Sequence, residues 1–352
     1  MAPETETVPK AKKTKLNHIG LLLDDYKGSK STLCKGCGHD AITSSIIKAC
    51  HELGLPPHKI AKMSGIGCSS KTPNYFLDQS HGFNTVHGRM STIATGASVA
   101  NRQMRNLGVS GDGDTASIGL GNFMHMIRRN VPIVYIVENN GCYGLTKGQF
   151  SATADKGAVI KGANAPNELP PIDICSLAIQ MGCGFVARSF SGDTNQVRTL
   201  IKAAMSHNGT AILDIISPCV TFNNHEDSTK SVSYAREHED PLHDIDFIPA
   251  FEQIEVEYDP GTSTQVTMHD GSKITLKKVD HDYDPNDKMK ALALLDEATE
   301  EQHFYTGLIY FHNDTPSLSD AMNLIEEPLA TLPSDRVRPS KEIFEAIMEA
   351  YK

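Results

Sequence analysis

Gly111-Asp112-Gly113-Asp114 places two carboxylates in a glycine-rich turn, and Asn139-Asn140 follows about one βα unit later. A diphosphate bound with Mg²⁺ needs hard oxygen ligands in near-octahedral geometry and a backbone that can come close. Asp112 between two glycines supplies the carboxylate and the access. The side-chain carbonyl of Asn140 supplies a second oxygen, and the backbone carbonyl of Cys142 a third. N–H groups at the start of a helix near Ala116 would face the diphosphate. Taken alone, GDGD is also a surface turn and Asn-Asn a loop pair that tolerates left-handed angles. Their combination, each ending a strand, is much more specific. Ligand spacing after Asp112 does not continue as an EF-hand requires.

Sulfur forms the second constellation. Cys34 and Cys37 make a CxxC in STLCKGCGH, and Cys68 and Cys219 bring the count to four. Four thiolates suit a cubane iron–sulfur cluster, and equally a zinc ion, since ligand type alone does not separate them. Cys50, Cys175 and Cys183 fit small buried core residues better. Eight cysteines without a signal-peptide pattern argue for metal or redox chemistry over a disulfide framework and suggest a cytoplasmic protein.

Those residues must be positioned by a scaffold. Apolar spacing predicts helices over about Asp40–Leu53, Ser91–Met104, Ile118–Arg129, Asp173–Gln180 and Asp193–Ser206. Short apolar runs predict strands at Ile60–Ser64, Leu107–Ser110, Ile133–Val137, Phe185–Ala187 and Ala211–Ile216. This alternation implies an α/β fold, a doubly wound parallel sheet. Ligands in such sheets bind at the carboxyl ends of strands. Cys68, GDGD, Asn139-Asn140 and Cys219 each follow a different strand, so all should meet at one edge. The stretch from Gly141 to Pro171 is a long Gly-, Ala- and Lys-rich loop, a length usually tied to function.

We divide the chain into a flexible arm at 1–23, a cofactor domain at 24–222 and an extension at 223–352 that contacts the core and a partner subunit. Within the extension Ile254 to Tyr258 alternates, and Asp270-Gly271 reads as a hairpin turn between Gln265–Met268 and Lys273–Val279. Met289–Gln302, Ser317–Ile325 and Ser340–Tyr351 read as helices. The net charge of −10 disfavours nucleic-acid binding, although Lys10, Lys12, Lys13 and Lys15 cluster in the arm. No apolar run is long enough to span a membrane.

CKGCGHD, SGIGCSSK, HGRMSTIATGASVAN, SGDGD, the Asn139-Asn140 pair with YGLTKGQ, and the late Pro218-Cys219 together resemble the β subunits of 2-oxoacid:ferredoxin oxidoreductases, most closely the 2-oxoglutarate type. The resemblance covers roughly Asp24 to Asn223 and returns in FYTGLIYF and LIEEPLATLP. It implies the thiamine-diphosphate-binding type of sheet. It also implies one [4Fe–4S] cluster on Cys34, Cys37, Cys68 and Cys219, and Mg²⁺ on Asp112, Asn140 and the Cys142 carbonyl. Thiamine diphosphate contacts fall near Gly67, Cys68, Ser69, His87, Gly111, Gly113, Asp114 and Leu145. The implied reaction converts 2-oxoglutarate to succinyl-CoA and CO₂, with coenzyme A as co-substrate and ferredoxin as electron acceptor. It is reversible in principle and so could fix CO₂. The implied partner is an α (or fused α–γ) subunit that brings the activating glutamate, in a dimer of heterodimers.

Lys71 is the candidate for reading a distal substrate carboxylate, because a desolvated second carboxylate needs a cation. His87 is the candidate for a diphosphate hydrogen bond. His39 reads as a helix-start residue without a chemical role. Three departures from the family stand out: a short strand before GDGD, an idiosyncratic loop from Ser151 to Pro170, and the N-terminal arm. Pyruvate or another 2-oxoacid as substrate, a non-redox thiamine decarboxylase or synthase subunit with structural zinc, and a cysteine–zinc interaction module without catalysis are the alternatives.

Overall fold

The computed structural model describes residues 16–223, 230, 239–241, 243–244, 263–267, 273–278, 283–300 and 304–352. The N-terminal lysine cluster, Ile254–Tyr258 and the Asp270-Gly271 turn lie outside these residues.

Chain order gives helix α1 (Gly38–Glu52), strands β1 (Ile60–Ser64) and β2 (His81–Asn84), helix α2 (Met90–Ala100), strand β3 (Arg105–Gly111), helix α3 (Leu120–Arg128) and strand β4 (Ile133–Asn139). A two-stranded ribbon follows, β5 (Cys142–Tyr143) and β6 (Gln149–Phe150). Helix α4 (Ile174–Gln180), strand β7 (Phe185–Phe190), helix α5 (Thr194–Ser206) and strand β8 (Thr210–Ile216) complete the expected alternation. Later come β9 (Glu239–Pro241), β10 (His243–Asp244), β11 (Ser263–Thr267), β12 (Lys273–Lys278), helix α6 (Lys288–Glu300) and strand β13 (Phe304–Phe311).

One sheet of eight strands runs in the order β2-β1-β3-β4-β8-β7-β13-β9. All neighbours from β2 to β7 are parallel. Each side chain of β4, β7 and β8 is buried, as expected for strands covered on both faces. On one face Phe123, Met126 and Ile127 of α3 pack with Ile174 and Ile179 of α4. On the other, Ile42 and Ile46 of α1 pack with Leu200 and Ile201 of α5. Asp173 and Asp193 cap α4 and α5 by accepting from Ser176 N at 2.6 Å and Gln196 N at 3.0 Å. Each such cap stabilises its helix by about 1 kcal/mol. Cys50, Cys175 and Cys183 are buried among apolar neighbours, as expected.

Three expectations change. The strand before GDGD is not short: β3 runs from Arg105 to Gly111, because pairing with β1 and β4 recruits residues that lack an apolar pattern. β2 was not foreseen; all four of its side chains are exposed at the sheet edge, so it carries no burial signal. The extension does more than lie against the domain. β13 joins the sheet antiparallel to β7, and Ala291, Leu295, Ile309 and Leu318 enter the core. The proposed hairpin is seen as antiparallel pairing of β11 with β12.

His207, just after α5, packs its ring against Phe185 and Phe311 at centroid distances of 5.9 and 6.0 Å. Neither ring nitrogen has a partner, and burial lowers its pKa to about 4. Below about pH 6.5 the unfolded chain binds a proton that the folded chain refuses, so stability falls as pH drops toward 4. The ring borders a cavity of about 70 Å³ that leaves room for one extra carbon. His207→Phe should therefore raise the melting temperature more at pH 5 than at pH 8, by on the order of 2 kcal/mol at the lower pH. Thermal denaturation at the two pH values checks this; an equal gain at both would contradict it.

Candidate functional site

A narrow pocket opens where β1, β3 and β4 end. It is lined by Gly67, Cys68, Ser69, Gly111, Asp112, Gly113, Asp114, Asn140, Cys142, Tyr143 and Gly144, with His39 and Glu138 at its wall. Strand–loop–helix turns build it. Gly67 takes φ +92° and starts a 3₁₀ turn, Cys68–Tyr75, which swings Cys68 and Ser69 over the strand ends. After β3 the chain enters a π-helical turn, Gly113–Ile118, before α3 begins at Leu120. The first helical turn therefore starts at Gly113, three residues earlier than expected.

Asp112 is 1 % exposed. Its Oδ2 accepts from Thr153 Oγ1 at 2.7 Å and from Ser151 Oγ, and its Oδ1 from Asn140 N at 3.3 Å. Burial raises its pKa and these donors oppose the rise. Asn140 Oδ1 accepts from Cys142 N at 3.1 Å, and Tyr143 Oη donates to the Gly113 carbonyl at 2.9 Å. Asp114 is spent structurally: it accepts from Gly88 N at 2.7 Å and Ser110 Oγ at 2.9 Å. That bond pins the turn at Gly88, which sits at φ +66° with space for no Cβ, since Gly119 Cα would lie 2.7 Å away.

Thr153 Oγ1 also lies 3.0 Å from Asn139 Oδ1, so its one hydroxyl proton is shared between that oxygen and Asp112, and Asn139 Nδ2 donates to Asp214 Oδ1 at 2.9 Å. Arg188 donates to Asp214 at 3.0 Å and to Asp173 at 2.5 Å. This chain of partners runs from the pocket to the start of α4. Arg188 lowers the Asp173 pKa against the effect of burial. Losing Arg188 would strand the buried Asp214 and remove the nearest cation from the partly exposed Asp173.

The sulfur side is adjacent. A Cβ placed on Gly144 would lie 3.4 Å from Cys219 Sγ and 3.6 Å from Cys68 Sγ. Thr221 Oγ1 is 3.8 Å from Cys34 Sγ. Cys37 interacts electrostatically with Cys68 and Cys219, and Cys68 with Cys34, so the four thiols border one region. Burial pushes Cys37 up to about 12. Cys219 goes the other way, to about 6, under the influence of the nearby Cys142 thiol and the backbone of Thr221, Phe222 and Asn223, which outweighs burial. Among the described residues no three His, Cys, Asp or Glu side chains lie close enough together for one metal ion.

Other predicted residues lie apart from the pocket wall. His87 is exposed, Leu145 is 50 % exposed, and Lys71 is half-buried one turn beyond Cys68. Sequence reasoning missed Ser151, Thr153 and Tyr143, which sit in or beside the loop that lacked periodicity. It also gave His39 no chemical setting. His39 is 2 % exposed, bonds Ser217 Oγ through Nδ1 at 2.6 Å and faces Glu138 at 3.6 Å. Burial lowers the His39 pKa to about 4 and pushes that of Glu138 well above the usual carboxylate range, so burial favours the neutral form of each.

The fold and pocket define a thiamine-binding class: residues 65–215 match the family model described as "Thiamine pyrophosphate enzyme, C-terminal TPP binding domain". The chain is 43 % identical over 190 residues to the 2-oxoacid:ferredoxin oxidoreductase subunit beta of Saccharolobus solfataricus, covering 54 % of this chain and 62 % of that one. It is 36 % identical over 190 residues to the 2-oxoglutarate synthase subunit KorB of Methanocaldococcus jannaschii, covering 54 % of this chain and 69 % of the relative. A solved structure, "2-oxoglutarate:ferredoxin oxidoreductase from Magnetococcus marinus with 2-oxoglutarate, coenzyme A and succinyl-CoA bound", superposes with a TM-score of 0.73 at 29 % identity, over 97 % of this chain and 99 % of that chain. The chain belongs to the β-subunit family of 2-oxoacid:ferredoxin oxidoreductases. It spans about three fifths of the length of the first relatives it matches.

Replacing Arg188 by Leu should cost about 3 kcal/mol of stability, because the buried Asp214 loses its cation, the partly exposed Asp173 adding less. Denaturant unfolding measures it, and a loss below 1 kcal/mol would show that the network relaxes without strain.

Proposed function

We propose that this chain is the thiamine- and cluster-bearing subunit of an enzyme that oxidatively decarboxylates 2-oxoglutarate to succinyl-CoA and CO₂ and delivers electrons to ferredoxin. The observation that carries this reading is the convergence of Asp112, Asn140, Cys142 and Cys68 on one pocket, with Cys219 behind it.

The residues fit Mg²⁺ and a diphosphate. Asp112 is a buried carboxylate beside a glycine-lined space, and its Oδ1, which accepts one hydrogen bond, keeps an acceptor direction in reserve. The Asn140 side-chain oxygen and the Cys142 carbonyl complete a hard-oxygen set. Gly67, Ser69, Gly111 and Gly113 let a diphosphate approach the backbone. The thiols fit a cubane, whose four thiolates bind separate irons at separate corners. A zinc ion instead draws its sulfurs to about 2.3 Å of one centre. When bound, thiamine diphosphate supplies an electron sink for loss of CO₂, and the cluster accepts electrons singly.

The chain's own side chains then have distinct tasks. Ser151 and Thr153 orient the Asp112 carboxylate. His39 and Glu138 form an uncharged wall beside Cys37 and Cys68. Lys71, one turn beyond Cys68 and acting to favour its charged form, would offer a cation to a second substrate carboxylate. His87 faces solvent on the turn pinned by Asp114, where a partner chain or the diphosphate could meet it. Of the pocket carboxylates, Asp112 and Asp114 are committed to hydrogen bonds and Glu138 faces His39. That supports an α subunit, or a fused α–γ subunit, as the source of the glutamate that activates the cofactor. We assign a dimer of heterodimers, acting in the cytoplasm, with a reaction that can also run toward CO₂ fixation. Among the described residues no helix is long and apolar enough to cross a membrane.

The decisive experiment is anaerobic co-expression with the α subunit, followed by acceptor reduction with coenzyme A. Reduction with 2-oxoglutarate and not pyruvate is expected. Lys71→Ile should move preference toward pyruvate, and unchanged substrate ratios would remove Lys71 from substrate recognition. Zinc in place of iron and acid-labile sulfide would overturn the redox reading.

Thr153→Val removes the single hydroxyl donor shared between Asp112 and Asn139. It should raise the Mg²⁺ concentration needed for half-maximal thiamine diphosphate binding about tenfold, as for other groups that orient a metal ligand. Titration calorimetry reads this directly, and Thr153→Ser should restore most of the affinity.

A further inference from the structure

The chain is acidic overall, with 43 Asp and Glu against 33 Lys and Arg, but the loops around the four candidate cluster cysteines are not. Residues 29–37, 65–76, 141–151, 156–167 and 217–223 hold six lysines and no Asp or Glu. Local contacts bring three of these lysines round the sulfurs. Lys35 lies between Cys34 and Cys37. The Lys161 N–H donates to the Phe222 carbonyl at 3.3 Å, on the turn that Cys219 opens. A Cβ on Gly148 would strike the Lys161 carbonyl and one on Gly162 the Lys147 carbonyl, so the Lys147 and Lys161 turns lie against each other. Thr221 Oγ1, on the Cys219 turn, is 3.8 Å from Cys34 Sγ. Lys35, Lys147 and Lys161 are exposed, and none has an ion pair among the described residues. Asp155, in the same long loop, is held by Lys230 at 3.3 Å. Cys34 is exposed, whereas Cys37, Cys68 and Cys219 are partly covered.

We propose that Lys35, Lys147 and Lys161 form a docking surface for the acidic face of a small electron-carrier protein, seated over Cys34. The inference rests on the proposed function and deepens it, by giving the ferredoxin a place to meet this chain. Its physical basis is charge. A chain of net charge −10 repels an acidic carrier on average, so productive encounter needs a local positive patch. Transient electron-transfer interfaces are small, and complementary charge sets their encounter rate and orientation. Leu145 and Val220, exposed on two of the same loops, supply apolar contact within the lysine rim. The three cations stand on separate exposed loops, which suits a broad protein face better than the phosphates of coenzyme A. One electron passes in each encounter: the centre on this chain is oxidised by one electron, the carrier is reduced by one, and no bond forms or breaks.

The test uses the anaerobically purified complex of this chain with its α subunit, with iron measured on each sample. A small acidic bacterial ferredoxin is the probe. Metronidazole, an uncharged acceptor that feels no electrostatic steering, is the control. Lys147→Glu combined with Lys161→Glu should weaken ferredoxin binding, read by titration calorimetry, and raise the ferredoxin KM, each roughly tenfold at low ionic strength. The salt dependence of both should flatten. Iron content, the KM for coenzyme A and metronidazole reduction should stay at wild-type values. Lys147→Arg combined with Lys161→Arg keeps the charge and should bind ferredoxin as wild type does. Unchanged ferredoxin binding in the double Glu variant would overturn the inference and leave the proposed function standing. So would a raised KM for coenzyme A, which would make this a phosphate site, or loss of the α subunit from the complex, which would make it a subunit interface. Wild-type complex that reduces neither acceptor would overturn the proposed function, and this inference with it.

Discussion

A single buried carboxylate sets the terms for the rest of this structure. Asp112 stands at the end of a central strand, almost wholly removed from water. A charge in that position is tolerable only where hydrogen bonds or a cation replace its hydration. Ser151 and Thr153, just after β6, and the Asn140 N–H, just after β4, do so. The loop is therefore tied down by the charge it surrounds. Its sequence shows no periodicity because its work is local hydrogen bonding rather than burial of an apolar face.

The tie extends outward. Thr153 bonds Asn139 as well as Asp112, and Asn139 leads through Asp214 and Arg188 to Asp173, which also caps α4. A buried network of this kind is stable only when each member is satisfied. It couples the shape of the pocket to the packing of a helix on the sheet's face. Behind the pocket, His39 and Glu138 make a different arrangement, in which burial favours the neutral form of each. Charge is thus favoured on the oxygen side, where donors meet Asp112, and disfavoured at the His39–Glu138 wall.

Much of this was legible in the residues. Strand–helix alternation gave the sheet, and the rule that ligands collect at carboxyl strand ends brought Cys68, GDGD and Asn140 to one edge. The capping aspartates 173 and 193 stood at the predicted helix starts. The signal failed where burial was absent or indirect. β2 is exposed on every side chain. β13 reads as an isolated apolar run, and nothing local announces that it pairs with β7 across more than a hundred residues. His39 looked like a helix-start residue, since a sequence cannot show that Glu138 and Ser217 will face it.

The sequence by itself determined the chemistry available to this protein: which side chains carry oxygen, sulfur and charge, and that the strand ends would gather them. Those facts follow from residue type and from periodicity, both of which are local. Only the tertiary structure decided which groups are spent and which stay free. Asp114 is consumed in pinning Gly88, His39 is held between Ser217 and Glu138, and the side-chain donors to Asp112 come from a loop some forty residues downstream. Such pairings depend on how separate strand ends and loops pack against one another, and no spacing along the chain encodes that.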